Sequence, residues 1–400
     1  MIKRQLEEEI LACAQQFPVV YITGPRQSGK TTLAQALFPT YKYVLLENET
    51  VRAEFAADVE GFLLKALAEH PGVIIDEFQK IPSITSYLQG IVDAERRRNG
   101  RVILTGSQNF LMMEQITQTL AGRAAIINLL PPSLAEIKPT NGLPEVLFRG
   151  LFPEPWEQEM NIKQAMRWAI NYISTYLERD ARTLIRIDSL PTFQTFLQIL
   201  ATRIGSVVNL VTLASDCKIT TETAQKWLNI LETCFIIYRV QPYYHNFSKS
   251  LIKSPKIYFT DTALVCSLLK IKSPSDIPDH SMYGALFENL IIMEQIKSCI
   301  NLGDRSNVYF WRDEQGHEVD VLLNYANHIR AIEIKSNPII KRSFLTGLSE
   351  LRKIVENYHN PEAYSPNKIR TFVVHGGDED TTMDNTKLIS WRRSGSINEN

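Results

Sequence analysis

The sequence has almost no excess of charge of either sign. Its 400 residues include 43 lysines and arginines against 44 aspartates and glutamates, so the formal net charge is -1. The overall charge therefore gives no sign of nucleic-acid or membrane binding, and any DNA contact needs a local basic surface.

Long apolar runs are also missing. No stretch approaches the about 18 residues of a membrane-spanning helix, and the N-terminus lacks the apolar core and cleavage site of a signal peptide. We therefore expect no membrane contact.

Cysteines are few and scattered. The five lie far apart and none forms a C-x-x-C pair, so neither a zinc site nor a disulfide framework is indicated. Separate reduced thiols are typical of a cytoplasmic protein, and we predict that location.

Apolar runs and helical stretches alternate in the first third of the chain. The runs at 19–24, 43–46, 73–75 and 101–107 each end in polar or small residues, and the alternation stops near 127–130. Strands that alternate with helices predict a parallel, doubly wound α/β sheet.

A phosphate loop follows the first predicted strand. Residues 24–31 match G-x-x-x-x-G-K-[ST], with a strand before the motif and a helix after it. Such a loop turns its backbone N–H groups toward phosphate oxygens, beside the positive end of the helix. We predict that ATP is held, with Mg²⁺ as cofactor, by Gly24, Pro25, Arg26, Gln27, Ser28, Gly29, Lys30, Thr31 and Thr32. Lys30 would reach the β- and γ-phosphates, and Thr31 would ligate Mg²⁺.

Two carboxylates, Asp76 and Glu77, follow the run at 73–75. Ligands bind at the carboxyl ends of strands in such sheets. Asp76 is predicted to hold the Mg²⁺ shell, and Glu77 to orient or deprotonate the attacking water.

Two later positions complete the predicted ATP site. Ser107, or Gln108 beside it, ends the next strand and could sense the γ-phosphate. Arg123 has two interpretations: it stabilises transition-state charge, in cis or in a neighbouring subunit, or it forms a surface salt bridge. Action between subunits would require a homo-oligomer.

The middle of the chain is helical. Residues 212–231 read as helix, turn and helix, and a strand follows, which outlines a winged helix-turn-helix. The second helix is not basic. Basic residues lie in the following segment, at Lys249, Lys253 and Lys256. They either contact DNA or form a solvated face, and both interpretations stay open.

A second group of charged residues lies near the C-terminus. Asp320 stands on one predicted strand, Glu333 and Lys335 on the next, and Glu288 on a preceding helix. Alternate strand residues share a face, so Asp320 can join Glu333 and Lys335. Carboxylates and a lysine can form a Mg²⁺ site for phosphodiester hydrolysis, with Glu288, Asp320 and Glu333 as ligands. A catalytically silent fold and a plain cross-strand ion cluster are the alternatives.

The stretches GPRQSGKTT, VIIDEFQKIP, LTGSQ and LAGRAAIINLLPPSLAEI resemble bacterial and archaeal AAA-type ATPases with a C-terminal DUF4143 region. KSPKIYFTDTALVCSLL and GALFENLIIMEQI are similar to the later part of that family, and the D…E-x-K pattern resembles the PD-(D/E)xK nuclease motif. The resemblance implies a P-loop ATPase domain (1–135), a helical and winged-helix domain (136–275) and an α/β restriction-endonuclease-like domain (276–392). A disordered tail (393–400) is expected.

Two functions follow from these patterns. One is an ATPase coupled to a DNA-directed, Mg²⁺-dependent nuclease-like domain. The alternative is a nucleotide-controlled switch whose silent C-terminal domain binds a partner protein or DNA.

Overall fold

The computed structural model describes residues 1–94, 98–106, 116, 118–177, 189–243, 254–304, 307–313, 315–325, 328–356 and 369–398. The part of the chain so described contains no helix long and apolar enough to cross a membrane.

Five parallel strands form the first sheet, as the alternation of apolar runs predicted. They are β1 (Val19–Thr23), β2 (Lys42–Leu45), β3 (Val73–Asp76), β4 (Val102–Thr105) and β5 (Ala124–Asn128), in the order β2-β3-β4-β1-β5. The helices of this part are α1 (Glu7–Gln16), α2 (Lys30–Leu37), α3 (Glu49–Ala57), α4 (Val59–Glu69) and α5 (Ile84–Ala94). Both faces of this sheet pack against helices through apolar residues. Because the central strands are buried on both faces, their sequences are continuous apolar runs.

A helical segment follows. It contains α6 (Leu134–Ile137), α7 (Leu143–Arg149), α8 (Pro153–Glu157), α9 (Ile162–Tyr172), a π-helical turn (Ile173–Leu177), α10 (Leu190–Ala201), α11 (Leu210–Asp216), α12 (Thr221–Thr233) and α13 (Thr262–Leu268). The helices α11 and α12 are the pair predicted from residues 212–231. The hydroxyl of Thr220 caps α12 by accepting from the N–H of Thr223 at 3.1 Å.

Eight strands form a second, mixed sheet. They are β6 (Ile237–Pro242), β7 (Lys256–Phe259), β8 (Val308–Arg312), β9 (Glu318–Asn324), β10 (Ile329–Lys335), β11 (Ile369–His375), β12 (Thr381–Met383) and β13 (Thr386–Ser390), in the order β12-β13-β11-β10-β9-β8-β6-β7. Two helices, α14 (Tyr283–Asn301) and α15 (Thr346–Glu356), accompany this sheet.

The strand after the helix pair does not form a separate wing. Strand β6 pairs with β7 antiparallel and with β8 parallel, so both join the C-terminal sheet. The sheet therefore crosses the predicted boundary between residues 275 and 276. One cluster of buried apolar residues, whose members range in sequence from Leu130 to Ile397, also spans this boundary.

The expected disorder of the tail is wrong for residues 393–398. A 3₁₀ helix spans Trp391–Asn398, and the side chains of Trp391 and Ile397 are buried. The amide of Gln295 on α14 donates to the carbonyl of Ser394 at 2.9 Å. A small polar composition suggested disorder, but the buried side chain of Ile397 and the hydrogen bond from Gln295 hold this short segment against α14.

Candidate functional site

The phosphate loop leaves the central strand β1 and ends where α2 begins at Lys30. Three residues of the loop have positive φ: Gly24 at +147°, Gln27 at +59° and Gly29 at +93°. A Cβ on Gly24 would overlap the carbonyl of Leu129, whereas the space beside Gly29 is open. Close packing therefore requires glycine at position 24, whereas there is space for a side chain at position 29.

The ammonium of Lys30 lies inside the loop. It donates to the carbonyls of Gly24 at 3.2 Å and Pro25 at 2.8 Å, and the residue is buried. The hydroxyl of Ser28 is also buried and has no hydrogen-bond partner among the described residues. Buried polar groups without partners are rare, and a phosphate oxygen would supply an acceptor for it. The loop therefore fits a phosphate ligand.

Asp76 is the centre of a polar group beside the loop. One oxygen, Oδ2, accepts from the hydroxyls of Thr31 and Tyr43, each at 2.8 Å. The other, Oδ1, accepts from the hydroxyl of Thr105 and from the N–H of Glu77. Thr31 and Asp76 meet as predicted for a Mg²⁺ site, because Mg²⁺ commonly takes one or two protein oxygens together with phosphates and water. The residues present fit this ion.

Glu77 stands just beyond β3 in a left-handed conformation, with φ at +56°. Its carboxylate accepts from the side-chain amide of Gln79. Burial raises its pKa, an effect that Lys30 and Arg26 partly oppose. The carboxylate is therefore a stronger base than an exposed one.

Arg123 lies at the opposite edge of the sheet. It precedes β5, and its carbonyl accepts from the N–H of Val19 at the start of β1. Five residues of strand separate this end from the phosphate loop, about 16 Å. Its guanidinium binds Asp93 through contacts of 2.6 and 2.8 Å. The predicted role in cis is therefore wrong, because the side chain begins at the wrong end of the strand.

Two further residues were predicted to belong to the ATP site, Ser107 and Arg26. Ser107 lies outside the described residues. Arg26 is in the loop, and its carbonyl accepts from the hydroxyl of Tyr172 on α9 at 3.3 Å. A helix of the middle segment thus touches the phosphate loop.

The three residues of the D…E-x-K pattern converge. The ammonium of Lys335 lies 2.6 Å from Glu333 Oε2 and 3.7 Å from Asp320 Oδ2. Asp320 Oδ2 also accepts from the N–H of Ile334 at 2.8 Å. Burial, followed by the nearby charge of Asp320, raises the pKa of Glu333 to about 8. Gly347 of α15 packs directly on its carboxylate, where a Cβ would overlap Glu333 Oε1.

Glu288 is committed to other partners. Its Oε1 accepts from the ammonium of Lys256 at 3.1 Å and from the hydroxyl of Tyr258 at 2.6 Å. Lys256 also binds Glu318. Burial lowers the pKa of Lys256, but the surrounding carboxylates outweigh this effect and raise it. Lys256 was interpreted as an accessible basic residue, yet its side chain is only 3% exposed.

The predicted metal ligands are therefore not arranged as a metal site. Among the residues that the structure describes, no three His, Cys, Asp or Glu side chains are grouped to hold a metal ion. Instead, two lysine ammonium groups contact these carboxylates, Lys256 on Glu288 at 3.1 Å and Lys335 on Glu333 at 2.6 Å. The C-terminal cluster as placed does not fit Mg²⁺.

Comparison with known families agrees with the loop geometry. Residues 16–138 match an AAA domain. Residues 283–393 match DUF4143 and residues 140–275 match DUF8612, both domains of unknown function. Three family models thus match successive parts of the chain, with the AAA domain first, DUF8612 second and DUF4143 last.

Similar proteins include uncharacterized proteins of Mycobacterium tuberculosis and Mycobacterium bovis. Each is 29% identical over 340 residues, which cover 84% of this chain and 74% of the relative. A Walker-type ATPase of Pyrococcus abyssi is 15% identical, with a TM-score of 0.48 over 67% of this chain and 96% of that structure. A RuvB structure of Thermotoga maritima is 16% identical, with a TM-score of 0.31 over 60% of this chain and 90% of that structure.

Sequence reasoning missed Thr105 and Tyr43 in the AAA domain. Thr105 could have been found, because it ends β4 in register with Asp76 on the parallel neighbour β3. Tyr43 stands in register with Ile74, and its long side chain reaches the carboxylate of Asp76, the last residue of β3. No pattern in the sequence marks it.

Proposed function

We propose that this protein is an ATP hydrolase whose nucleotide state controls its C-terminal part. The observation that carries the proposal is the meeting of Thr31 and Asp76, at 2.8 Å, beside a loop that encloses the ammonium of Lys30. A glycine–lysine turn that arose by chance would have no reason to lie beside a carboxylate at the end of another strand.

The residues of the loop and of β3 have different proposed roles in binding ATP and Mg²⁺. The N–H groups of residues 26–32 and the ammonium of Lys30 bind the phosphates, whereas Pro25 has no N–H to donate. Thr31 and Asp76 would hold Mg²⁺, which would supply positive charge against the phosphate oxygens. Lys30 exchanges the loop carbonyls for phosphate oxygens when ATP enters.

Glu77 is the proposed general base. It orients the attacking water and accepts its proton, and the raised pKa brings the carboxylate nearer the pH at which proton transfer is efficient. The amide of Gln79 holds the carboxylate in place.

Control of the rest of the chain is proposed from a contact at the loop. The hydroxyl of Tyr172 donates to the carbonyl of Arg26. A change of loop conformation on nucleotide binding would therefore change the position of α9. The C-terminal part would respond by binding a partner protein or DNA.

The ATPase proposal is tested with Lys30→Ala and Glu77→Gln. Lys30→Ala is expected to weaken binding of a fluorescent ATP analogue. Glu77→Gln is expected to keep binding and to slow phosphate release by about 10²-fold or more. Glu69→Gln, an exposed change at the end of α4, is the control. Normal turnover in Glu77→Gln would remove Glu77 from its role.

A role for Arg123 between subunits is also proposed. Its guanidinium is on the surface, where a second copy could receive it in place of Asp93. If this holds, turnover per chain rises with protein concentration and Arg123→Ala abolishes the rise. Turnover that is independent of concentration would reject the role.

Mg²⁺-dependent DNA cleavage by a restriction-endonuclease-like C-terminal domain is a second candidate. The convergence of Asp320, Glu333 and Lys335 favours it. The activity would require the carboxylates to exchange their lysine partners for a cation.

A cleavage assay separates the two candidates. Plasmid and single-stranded DNA are incubated with the protein and Mg²⁺ or Mn²⁺, with and without ATP. Cleavage by the wild type that Asp320→Ala abolishes establishes the nuclease. Intact DNA with wild-type protein that hydrolyses ATP favours the switch.

A further inference from the structure

Arg4 precedes the first helix and is almost completely buried, at 6% exposure. Its guanidinium joins three parts of the chain. Nη1 donates to the carbonyl of Ser28 at 3.0 Å, Nη2 to the carbonyl of Leu130 at 2.6 Å, and Nε to Glu136 Oε1 at 3.1 Å. The planar guanidinium suits this task, because its donors point in fixed directions.

The contact with Ser28 acts on the phosphate loop itself. The carbonyl of Ser28 and the N–H of Gly29 belong to one planar trans peptide, so they point in opposite directions. When Arg4 fixes the carbonyl, it also fixes the direction of the Gly29 N–H. Gly29 is the residue beside which the loop has open space. Arg4 therefore orients a donor of the loop from the side away from the ligand.

The partners of Arg4 are themselves held by the C-terminal part. Glu136 accepts from the N–H of Ser133 at 2.6 Å and fixes the turn before α6. The next N–H, of Leu134, donates to Glu294 on α14 at 2.8 Å. Lys297, one turn further, donates to the carbonyl of Pro132 at 3.0 Å and lies 3.2 Å from Glu294. Glu294 and Lys297 are both at most 2% exposed.

Helix α14 also reaches the other cluster. Glu288, about two and a half turns before Lys297, binds Lys256 and Tyr258 beside the D…E-x-K residues. One rigid helix thus connects the segment on which Arg4 rests with the C-terminal charged cluster.

We propose that Arg4 is a positioning residue of the nucleotide site, which sets the orientation of the Ser28–Gly29 peptide and joins the phosphate loop to the segment anchored on α14. This inference rests on the proposed ATP hydrolase. It adds to the nucleotide site a residue outside the loop motif. It also describes the contacts through which the C-terminal part can influence the loop.

The test compares Arg4→Gln with a matched control, Arg149→Gln. Arg149 is also buried, at 9% exposure, and binds two carbonyls, of Pro155 and Met160, and the carboxylate of Glu145. None of these partners is in the phosphate loop. Both variants lose similar contacts, so a difference between them in nucleotide binding reports the position of Arg4 and not a general loss of stability.

The measurements are the Kd of a fluorescent ATP analogue, KM and kcat for phosphate release, and the melting temperature. Arg4→Gln is expected to weaken the Kd by about tenfold, the effect of misplacing a donor to a charged group. Arg149→Gln is expected to change the Kd by less than about twofold at a similar loss of melting temperature. Arg4→Lys keeps the charge and recovers part of the affinity.

Hydrogen exchange adds a second readout, in which the amides of residues 26–31 exchange faster in Arg4→Gln and not in Arg149→Gln. If Arg4→Gln does not fold, Glu136→Gln, which weakens the ion pair and keeps both carbonyl contacts, is measured instead and is expected to weaken the Kd by a smaller factor. If every folded variant at Arg4 and Glu136 binds the ATP analogue with unchanged affinity, the inference is overturned. A wild type that binds no ATP analogue refutes the proposed function instead.

Discussion

Replacing Lys256 with methionine is a direct test of how the C-terminal cluster is held together. The ammonium of Lys256 contacts Glu288 at 3.1 Å, binds Glu318 and lies 5.5 Å from the centre of the Phe310 ring. Methionine keeps the length and much of the apolar packing of the side chain. The change therefore removes the cation with which Glu288 pairs, whereas Glu318 keeps its contact with Arg312 at 3.4 Å.

The expected loss follows from the burial of this pair. Breaking a buried ion pair by removing one partner costs about 3–5 kcal/mol, because the remaining charge is uncompensated. For a cooperative unit of about 150–250 residues, each kcal/mol shifts the melting temperature by about 2–4 °C. We therefore expect Lys256→Met to lower the melting temperature of the C-terminal part by about 6–20 °C.

Thermal unfolding followed by circular dichroism measures this shift. Lys387→Met removes an exposed lysine from the same sheet and is expected to have little effect. The double variant Lys256→Met with Glu288→Gln is expected to recover part of the loss, because one unpaired charge is then removed. A shift below about 3 °C for Lys256→Met would refute the view that the lysine holds the cluster.

Three further outcomes are expected. Asp76→Asn should lower the rate of phosphate release by about 10²-fold, because the Mg²⁺ ligand loses its charge; a rate near that of the wild type would count against Asp76 as a ligand. Gly24→Ala should impair folding and ATP binding, since its Cβ overlaps the Leu129 carbonyl. Gly29→Ala should cost only the about 1–2 kcal/mol of a left-handed backbone, and equal losses of melting temperature would contradict this difference. The pKa of Glu333 is raised from 4.5 to about 8, so its contribution to the free energy of unfolding is present below pH 4.5 and lost as the pH rises through about 8. Chemical denaturation of the wild type and Glu333→Gln from pH 5 to 9 should show this fall in the wild type alone; parallel curves would contradict it.

The AAA domain could be predicted well because its signals are local. A strand, a phosphate loop and a helix follow one another within residues 19–37, and the end of β3 brings Asp76 to the same edge of the sheet. All five strands are parallel, so their carboxyl ends lie at one edge of the sheet, and Thr31 and Asp76 could be predicted to lie near each other although β4 stands between β1 and β3.

The C-terminal cluster was predictable only in part. Asp320, Glu333 and Lys335 come from consecutive antiparallel strands, β9 and β10, and the alternation of side chains brought them together. Lys256 comes from β7, which lies at the far edge of the sheet order and packs on α14. No sequence pattern reveals such a non-local neighbour, so a buried ion-pair partner was read as an accessible basic residue.

The position of strand β6 has a consequence for how this protein can be divided. The strand lies within the segment that matches DUF8612, and its parallel neighbour β8 lies within the segment that matches DUF4143. A fragment cut between these segments would expose an unpaired edge on β8 and remove the strand that carries Lys256. Exchange of C-terminal regions between relatives should therefore succeed only when the exchanged piece begins before Ile237, so that the sheet is transferred whole.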